Sequence, residues 1–346
     1  MVRFARVALR LTGAFLAISL FLFLAIRTLP GDPVALRLKN PSAEQVAAER
    51  ERLGLDRPVP VQYARYIGRF FAGDWGESIR TGASVREDVG RYLPATFELA
   101  LSALFLGVVA GGMLGLLAET LRTVWLRRAA FALGMAGLTV PVFWIGFLLL
   151  LGGSLWLGWF PPGGRASPGV VAPGLTGFLV PDLVLSGRWS EAWETLRFLV
   201  LPAFCLSLLP AAQVCTTLRA RLQDKRIHLL LTSLRARGLS PARIWFRHML
   251  KLTGGPVVTV AGTNFGILLG GAVLTETVFS WPGMGRYLVA AVLERDLYVI
   301  QNALLLAIML VLAVVYVSDL LAGSLRQPED SSAAEGPGGG KEEGPR

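Results

Sequence analysis

The histidines, acids and glycine-rich stretches of this sequence are the residues that could carry out chemistry. There are two histidines, His228 and His248, and neither has the acidic neighbours that would complete a metal site. Gly340-Lys341 lacks the upstream glycine of a phosphate-binding loop and is followed by Glu342. Nucleophile-elbow and zinc-protease patterns are absent. We therefore expect no metal, no cofactor, no catalytic residues and no ATP hydrolysis by the chain itself.

Four acidic residues lie inside or beside apolar segments, where a charge is costly and is often functional. They are Glu98, Glu119, Glu276 and Asp319, and each lies near the end of its segment rather than in the middle. A proton relay needs acids near the centre of the bilayer, so this placement argues against a proton-driven carrier. For Glu98 and Glu119 we favour a simple charge at the membrane interface.

The elements that must position these residues are long apolar blocks. Hydrophobic residues make up 53% of the chain and charged residues 17%, more apolar surface than a soluble domain can bury. A bilayer core is crossed by about 20 helical residues. Six blocks reach that length, which predicts an all-α polytopic membrane protein with six transmembrane helices: Leu11–Leu29, Thr96–Ala118, Ala129–Gly153, Phe198–Thr217, Pro256–Thr277 and Ala303–Ala322.

The basic residues are concentrated in connections that alternate along the chain. The N-terminal stub carries Arg3, Arg6 and Arg10 without an acid, and residues 218–252 carry nine Lys and Arg against Asp224. Because cytoplasmic loops are rich in Lys and Arg, we expect both termini to be cytoplasmic. The first block lacks a small-residue cleavage site and is predicted to be a retained anchor. Topology thus explains the net charge of +10 without nucleic-acid binding.

Four regions follow from this arrangement. Residues 1–29 hold the cytoplasmic stub and the first transmembrane helix, and residues 30–93 form an external segment of mixed charge. Residues 94–322 form a core with the other five helices. Residues 323–346 are rich in Gly and polar residues, a composition that predicts a disordered cytoplasmic tail.

The external segment contains signals for two short helices. Ser42 and Gln45 have the spacing of a capping box, which predicts a helix through Leu53 that Gly54 ends. A second short helix would place three apolar residues on one face, namely Tyr63, Ile67 and Phe70.

The third-to-fourth connection, residues 154–197, is rich in tryptophan. Its four tryptophans are Trp156, Trp159, Trp189 and Trp193. Tryptophan is enriched at the headgroup level of membranes, so we favour an interfacial belt. The alternative is a contact surface for a docking partner.

The connection at 218–252 has internal order. The sequence predicts a short helix over His228–Arg237, ended by Gly238, and a new helix starting at Ser240-Pro241. Two helices lying on the cytoplasmic face and joined to two spans would form a mechanical handle that a partner outside the membrane could push. The alternative is a solvated basic loop.

Small and polar residues recur on two predicted spans. Gly107, Gly111 and Gly115 make a smooth ridge on the second span, and three further glycines do so on the fifth. Such ridges favour either tight static packing or helices that slide between two states. Thr263 and Asn264 would line a path or bond a neighbouring helix. The candidate pathway or packing residues are Gly262, Thr263, Asn264, Gly266, Gly270 and Glu276.

Several short motifs occur in a fixed order along nearly the whole chain. They are Leu29–Pro33, Leu53–Pro58, Gly73–Ser78, Leu93–Thr96, Pro141–Trp144, Leu201–Ala203 and, most specific, Gly270–Gln301 with Glu276–Gly285. In these motifs the chain resembles the permease subunits of bacterial ABC importers for dipeptides, oligopeptides and nickel. The resemblance implies a core like that of type I ABC importers, in the bacterial inner membrane.

The resemblance also implies an ATPase-coupling motif in the 218–252 connection. Its positions here are Thr232, Ser233, Leu234 and Gly238; Thr232 and Leu234 depart from the family pattern. Arg235, Arg237 and Gly238 are the residues we expect at the centre of the coupling surface. The whole set is Thr232, Ser233, Leu234, Arg235, Arg237, Gly238, Leu239 and Ser240.

The implied partners are a second, paralogous permease subunit, two ABC ATPase subunits, an external substrate-binding protein and the lipid bilayer. Di- or oligopeptides are the substrates that the resemblance favours, while nickel chelates, glutathione and sugars stay open. Two other classes are an ion-coupled carrier or channel that works without an ATPase, and a membrane anchor for a soluble complex. A carrier would move solute without ATP, and an anchor would tolerate bulky residues in its glycine ridges.

Overall fold

A computed structural model of the chain describes residues 2–28, 42, 44–45, 56–171, 174–240, 243–244, 247 and 250–325. Within these residues the regular structure is helical, apart from one isolated β-bridge between Glu77 and Ser84. The predicted all-α class is confirmed. The helices are α1 Val2–Thr28, α2 Val59–Ala72, α3 Val85–Thr120, α4 Val124–Thr139, α5 Val142–Leu149, α6 Leu179–Leu185, α7 Trp189–Leu222, α8 Lys225–Ala236, α9 Leu250–Gly271, α10 Val273–Val278, α11 Met284–Leu293 and α12 Leu297–Leu325.

Three of the described helices are long and apolar enough to cross a bilayer: α3, α7 and the Leu297–Ser318 part of α12. A fourth crossing is formed if α4, α5 and the π-helix Leu150–Trp156 count as one bent span. The two other predicted blocks correspond to α1, with its apolar stretch Thr12–Arg27, and to α9, which has 22 residues.

The prediction of an unbroken third helix over Ala129–Gly153 is wrong. The chain bends by 105° between α4 and the segment that starts with α5. Val140 is extended, with φ −112° and ψ 133°, and Pro141 precedes the first residue of α5. Because proline disfavours the helical region for the residue before it, the helix ends there and a new one begins in another direction.

Other helix boundaries also differ from the predicted blocks. The fifth block, Pro256–Thr277, is divided at Ala272 between α9 and α10. The second span begins at Val85 and runs through Pro94, so it is longer than predicted. The last helix continues to Leu325, past the predicted start of the tail at residue 323, and residues 326–346 lie outside the described residues.

The two glycine ridges each face a neighbouring helix. A methyl group at Gly107 would lie 2.9 Å from Pro210, and one at Gly115 would lie 3.0 Å from the Cys215 carbonyl oxygen. Gly111 likewise meets the α7 backbone, so α3 and α7 pack with their main chains in close approach. On α9, Gly262 faces Ser318 of α12.

The segment predicted to be external, residues 30–93, leads from α1 to α3. Ser42 N–H donates to Gln45 Oε1 at 2.9 Å and Gln45 N–H donates to Ser42 Oγ at 3.2 Å, so the predicted capping box is present. The rest of that predicted helix lies outside the described residues. The second predicted helix is α2, and its Tyr63 hydroxyl lies 2.7 Å from Ser19 Oγ on α1.

Candidate functional site

The helix α8 in the basic connection is fixed to the end of α7 by an apolar cluster. Leu218 and Leu222 of α7 pack with Ile227 and Leu234 of α8 and with Ile244 beyond it, and all five side chains are buried. Burial of one such side chain contributes about 1.5–3 kcal/mol. The connection is therefore an organised element joined to a span, rather than a solvated loop.

Gly238 ends α8 in the left-handed conformation, with φ +73°. Its neighbours Arg237 and Leu239 donate their N–H groups to Ser233 O at 3.1 Å and Leu234 O at 3.4 Å, which closes the helix end. A methyl group built on Gly238 would meet no atom within 4 Å. The position therefore favours glycine for its backbone conformation, not for space.

The next turn begins where the sequence predicted. Ser240 Oγ accepts the Arg243 N–H at 3.4 Å, and Ser240 O accepts the Ile244 N–H at 3.0 Å. Pro241 lies outside the described residues. The chain thus forms one helix, a glycine turn and the start of another on the end of α7.

The predicted coupling residues are not all on the surface. Leu234 is 5% exposed and packs inside the apolar cluster, so this member of the predicted coupling set holds α8 to the end of α7. Leu239 is half-buried beside the same cluster. The Arg235 side chain lies outside the described residues. The exposed members are Thr232, Ser233, Arg237, Gly238 and Ser240.

Next to this connection, an ion pair joins α7 to α3, and a cation–π contact of the same arginine adds α4. Arg219 of α7 donates from Nε to Glu119 Oε1 of α3 at 2.8 Å, and Gln223 donates to the same oxygen at 2.8 Å. The Arg219 guanidinium also lies 3.9 Å from the centre of the Phe131 ring of α4. Glu119 is therefore a partner in a contact that joins α3 to α7, and its position relative to the membrane interface stays a prediction.

On the far side of the core, the motif Glu276–Gly285 forms a corner against the start of the second span. The buried Glu276 carboxylate accepts the Thr96 hydroxyl at 2.7 Å and the Arg286 N–H at 2.9 Å. The Thr96 oxygen accepts the Met284 N–H at 2.8 Å. A methyl group at Gly283 would collide with the Glu276 carboxylate. Two motifs far apart in sequence thus form one hydrogen-bonded corner.

Comparison with known proteins identifies the family of this helical core. Residues 107–327 match the family of binding-protein-dependent transport system inner membrane components, and residues 1–100 match the N-terminal region of such membrane components. The chain belongs to this family. It is therefore a membrane-embedded permease subunit of an ABC importer, a family distinct from ion-coupled carriers.

Individual relatives of the permease match over most of their length. The di/tripeptide transport system permease protein of Pseudomonas aeruginosa is 38% identical over 315 residues, which cover 90% of this chain and 94% of the relative. The dipeptide transport system permease proteins of Escherichia coli K12 and Alkalihalophilus pseudofirmus are 34% and 32% identical, covering 89% and 90% of this chain and 93% and 94% of theirs.

Solved structures show the same fold. A chain of the MetNI methionine ABC transporter, in an inward-facing conformation, superposes with a TM-score of 0.51 and 16% sequence identity. The superposition covers 69% of the permease and 97% of that chain. The described helices therefore have the fold of an ABC-transporter membrane subunit.

The candidate pathway residues of the permease separate into two groups. Asn264 is fully buried and donates to Gln213 Oε1 of α7 at 2.9 Å and to Val260 O at 2.7 Å, so it joins two helices. Glu276 is equally enclosed. Thr263 is exposed, and its hydroxyl donates to Thr259 O at 3.0 Å. Of this polar set, Thr263 is the exposed member, and whether it lines a pathway stays a prediction.

Glu98 holds the 154–197 connection onto α3. Its side chain is almost fully buried and accepts Arg165 Nη2 at 2.5 Å and the Val180 N–H at 2.8 Å. Arg165 Nη2 also donates to Gly177 O at 3.1 Å. Glu98 is therefore a buried partner in a contact between α3 and the 154–197 connection, and sequence alone did not reveal its partner 67 positions away.

Asp182 stabilises the loop at residues 175–177, which the Glu98–Arg165 pair also contacts. It is buried and accepts the Thr176 N–H at 2.8 Å, the Thr176 hydroxyl at 2.5 Å, and the N–H groups of Leu175 at 3.0 Å and Gly177 at 3.3 Å. Burial raises the pKa of Asp182. The four hydrogen bonds together lower this pKa by more than burial raises it, so the pKa lies below its ordinary value. The carboxylate is thus held in its charged form.

The four tryptophans of the external connection are exposed. Trp156 is 77% exposed, and Trp189 and Trp193 lie one turn apart at the start of α7 with about two thirds of their surface accessible. An interfacial belt and a docking surface both require exposed tryptophans, so the exposure does not distinguish these two interpretations.

Proposed function

We propose that the permease forms half of the pathway of an ATP-driven importer of dipeptides or oligopeptides, and that a paralogous permease supplies the other half. The observation that carries this proposal is the similarity to dipeptide and di/tripeptide permeases, which extends over about nine-tenths of both chains. An external binding protein would deliver the peptide. ATP would be hydrolysed in partner subunits, because the sequence lacks a phosphate-binding loop.

Two ABC ATPase subunits would drive the pair of permeases, one docking on the exposed residues around Gly238. Anchoring of α8 through Leu234 supports this role, because a push on α8 would move α7 with it. The Arg219–Glu119 ion pair would pass the movement to α3. Rigid-body tilting of packed helices is a common way for such proteins to alternate between two openings.

The basic connection also supports an orientation. With nine Lys and Arg, residues 218–252 would face the cytoplasm, together with both termini, in the bacterial inner membrane. The α2 segment and the 154–197 connection would then face outward, where a binding protein arrives.

A reconstituted importer tests this function. The permease, its paralogue and the two ATPases are placed in vesicles with ATP inside, and uptake of a labelled dipeptide is followed after addition of the binding protein. We expect uptake that stops when ATP is replaced by a non-hydrolysable analogue. Glutathione and a nickel chelate serve as comparison substrates. Dipeptide movement through the permease alone without ATP would contradict the proposal.

A further inference from the structure

A cavity of about 440 Å³ opens at the outer end of the permease, away from the coupling connection. Its walls are the last turns of α1, one face of α2, the 73–77 loop and the first turn of α12. α2 lies along α1: Arg27 donates to Gln62, and Phe15 packs on Phe71 with ring centres 5.6 Å apart. The cavity is therefore at the level where the membrane spans end.

The lining of the cavity is strongly charged. Arg65 and Arg69 lie one turn apart on α2, both are half-buried, and within the described part of the chain neither has an ion-pair partner. Arg27 is beside them, with its guanidinium 4.1 Å from the Phe23 ring centre. A guanidinium pairs with phosphate or carboxylate through two parallel hydrogen bonds. The pair Arg65 and Arg69 is thus a site for an oxyanion.

The cavity also contains negative charge, and an apolar stripe on α1 precedes its lining residue Arg27. Asp74 of the 73–77 loop lines the same cavity. Before Arg27, three leucines spaced four residues apart follow one face of α1, and all are exposed: Leu16 by 45%, Leu20 by 41% and Leu24 by 44%. A free peptide would match the charges but would leave this stripe unused. A phospholipid would match both, with its headgroup in the cavity and an acyl chain along the stripe.

We propose that this cavity binds the headgroup of a glycerophospholipid, with the phosphodiester on Arg65 and Arg69. Asp74 selects a headgroup that carries an amine, so phosphatidylethanolamine binds better than phosphatidylglycerol. The lipid fastens α2 to the outer ends of α1 and α12. This role is separate from peptide transport and does not require that the peptide assignment is right.

Native mass spectrometry of the purified permease tests the proposal. The protein is delipidated in detergent and then supplied with phosphatidylethanolamine, phosphatidylglycerol, inorganic phosphate or a dipeptide at equal concentrations. We expect one retained phosphatidylethanolamine, less phosphatidylglycerol, and much weaker binding of phosphate and dipeptide, because neither contacts the stripe. The double variant Arg65→Gln/Arg69→Gln is expected to lose lipid retention about tenfold, as two charge-assisted contacts are removed.

Matched variants keep the result interpretable. Arg80→Gln/Arg91→Gln removes two exposed charges from the same external segment and should retain lipid like the wild type. Arg65→Lys/Arg69→Lys keeps the charge and should retain an intermediate amount, whether or not the glutamine variant folds well. Asp74→Asn should reduce the preference for phosphatidylethanolamine. Equal retention in the lysine variant, the glutamine variant and the control, or phosphate or dipeptide binding as strong as lipid binding, would overturn the proposal.

Discussion

The hydroxyl of Thr96 donates a 2.7 Å hydrogen bond to the carboxylate of Glu276, a residue 180 positions further along the chain. Both groups are buried. The bond joins the start of the second span to the segment that follows the fifth. It is reinforced by the Trp281 indole, which donates to Ala95 O at 2.9 Å. The corner formed by Glu276–Gly285 against α3 therefore depends on a small buried polar network.

Thr96→Val should destabilise the permease. Valine has the shape of threonine but removes the hydroxyl from Glu276 Oε1 and leaves the Met284 N–H without its acceptor, at a cost of about 1–3 kcal/mol for each lost bond, while Glu276 Oε2 keeps the Arg286 N–H. We expect a lower midpoint of thermal unfolding in detergent. Thr96→Ser, which keeps the hydroxyl, is the control and should stay close to wild type. Combined with Glu276→Gln, the Thr96→Val effect should be less than additive. Equal midpoints for the valine and serine variants would show that the bond contributes nothing.

Two adjacent glycines on α3 should differ in their response to substitution by alanine: one variant should be destabilised and the other unchanged. Gly111→Ala would place a methyl group against the Ala211 backbone of α7, whereas a methyl group at Gly112 meets no atom within 4 Å. Overpacking of this kind costs about 1–3 kcal/mol. We expect Gly111→Ala to lower both the unfolding midpoint and the amount of permease in the membrane, and Gly112→Ala to change neither. If the two variants behaved alike, the close approach of α3 and α7 would be disproved.

Sequence patterns predicted those features of the permease that a single local constraint controls. The apolar blocks follow from the thickness of the bilayer, and the end of α8 follows from the conformation that Gly238 adopts. The break at Pro141 was missed because proline is tolerated inside transmembrane helices, so its presence alone does not indicate a bend.

The polar contacts between distant residues could not be predicted in the same way. Glu98 pairs with Arg165 and Glu119 pairs with Arg219, 67 and 100 positions apart. The sequence contains many arginines that could pair with either acid, and the packing of the helices determines which pairs form. Leu234 belongs to the predicted coupling set by its motif position, and that position did not reveal that its side chain packs in the apolar cluster between α7 and α8.

Asp182 should make the stability of the 154–197 connection depend on pH. Its pKa in the folded protein is below the ordinary value near 3.9, so its contribution to stability is complete above about pH 4 and is lost as the pH falls through the folded pKa. The difference in unfolding midpoint between wild type and Asp182→Asn should therefore be largest at neutral pH and shrink below about pH 4. Asp56→Asn, at an exposed position, should show a small difference at every pH. If the difference in unfolding midpoint between wild type and Asp182→Asn became larger as the pH fell, the lowered pKa of Asp182 would be contradicted.

The central claim is that force from an ATPase reaches the spans through the turn at Gly238. Proline fixes φ near −65° and cannot adopt the +73° observed there, whereas asparagine adopts the left-handed conformation at a modest cost. A Cβ atom at this position meets no atom within 4 Å, so the main difference expected between the two variants is in backbone conformation.

The most direct measurement is dipeptide uptake and ATP hydrolysis in the same vesicles, for wild type, Gly238→Pro and Gly238→Asn at equal permease abundance. We expect uptake to fall by at least about tenfold in Gly238→Pro, which corresponds to about 1.4 kcal/mol of lost coupling, and to stay near wild type in Gly238→Asn. Wild-type uptake by Gly238→Pro would contradict the claim that this turn couples ATP hydrolysis to transport.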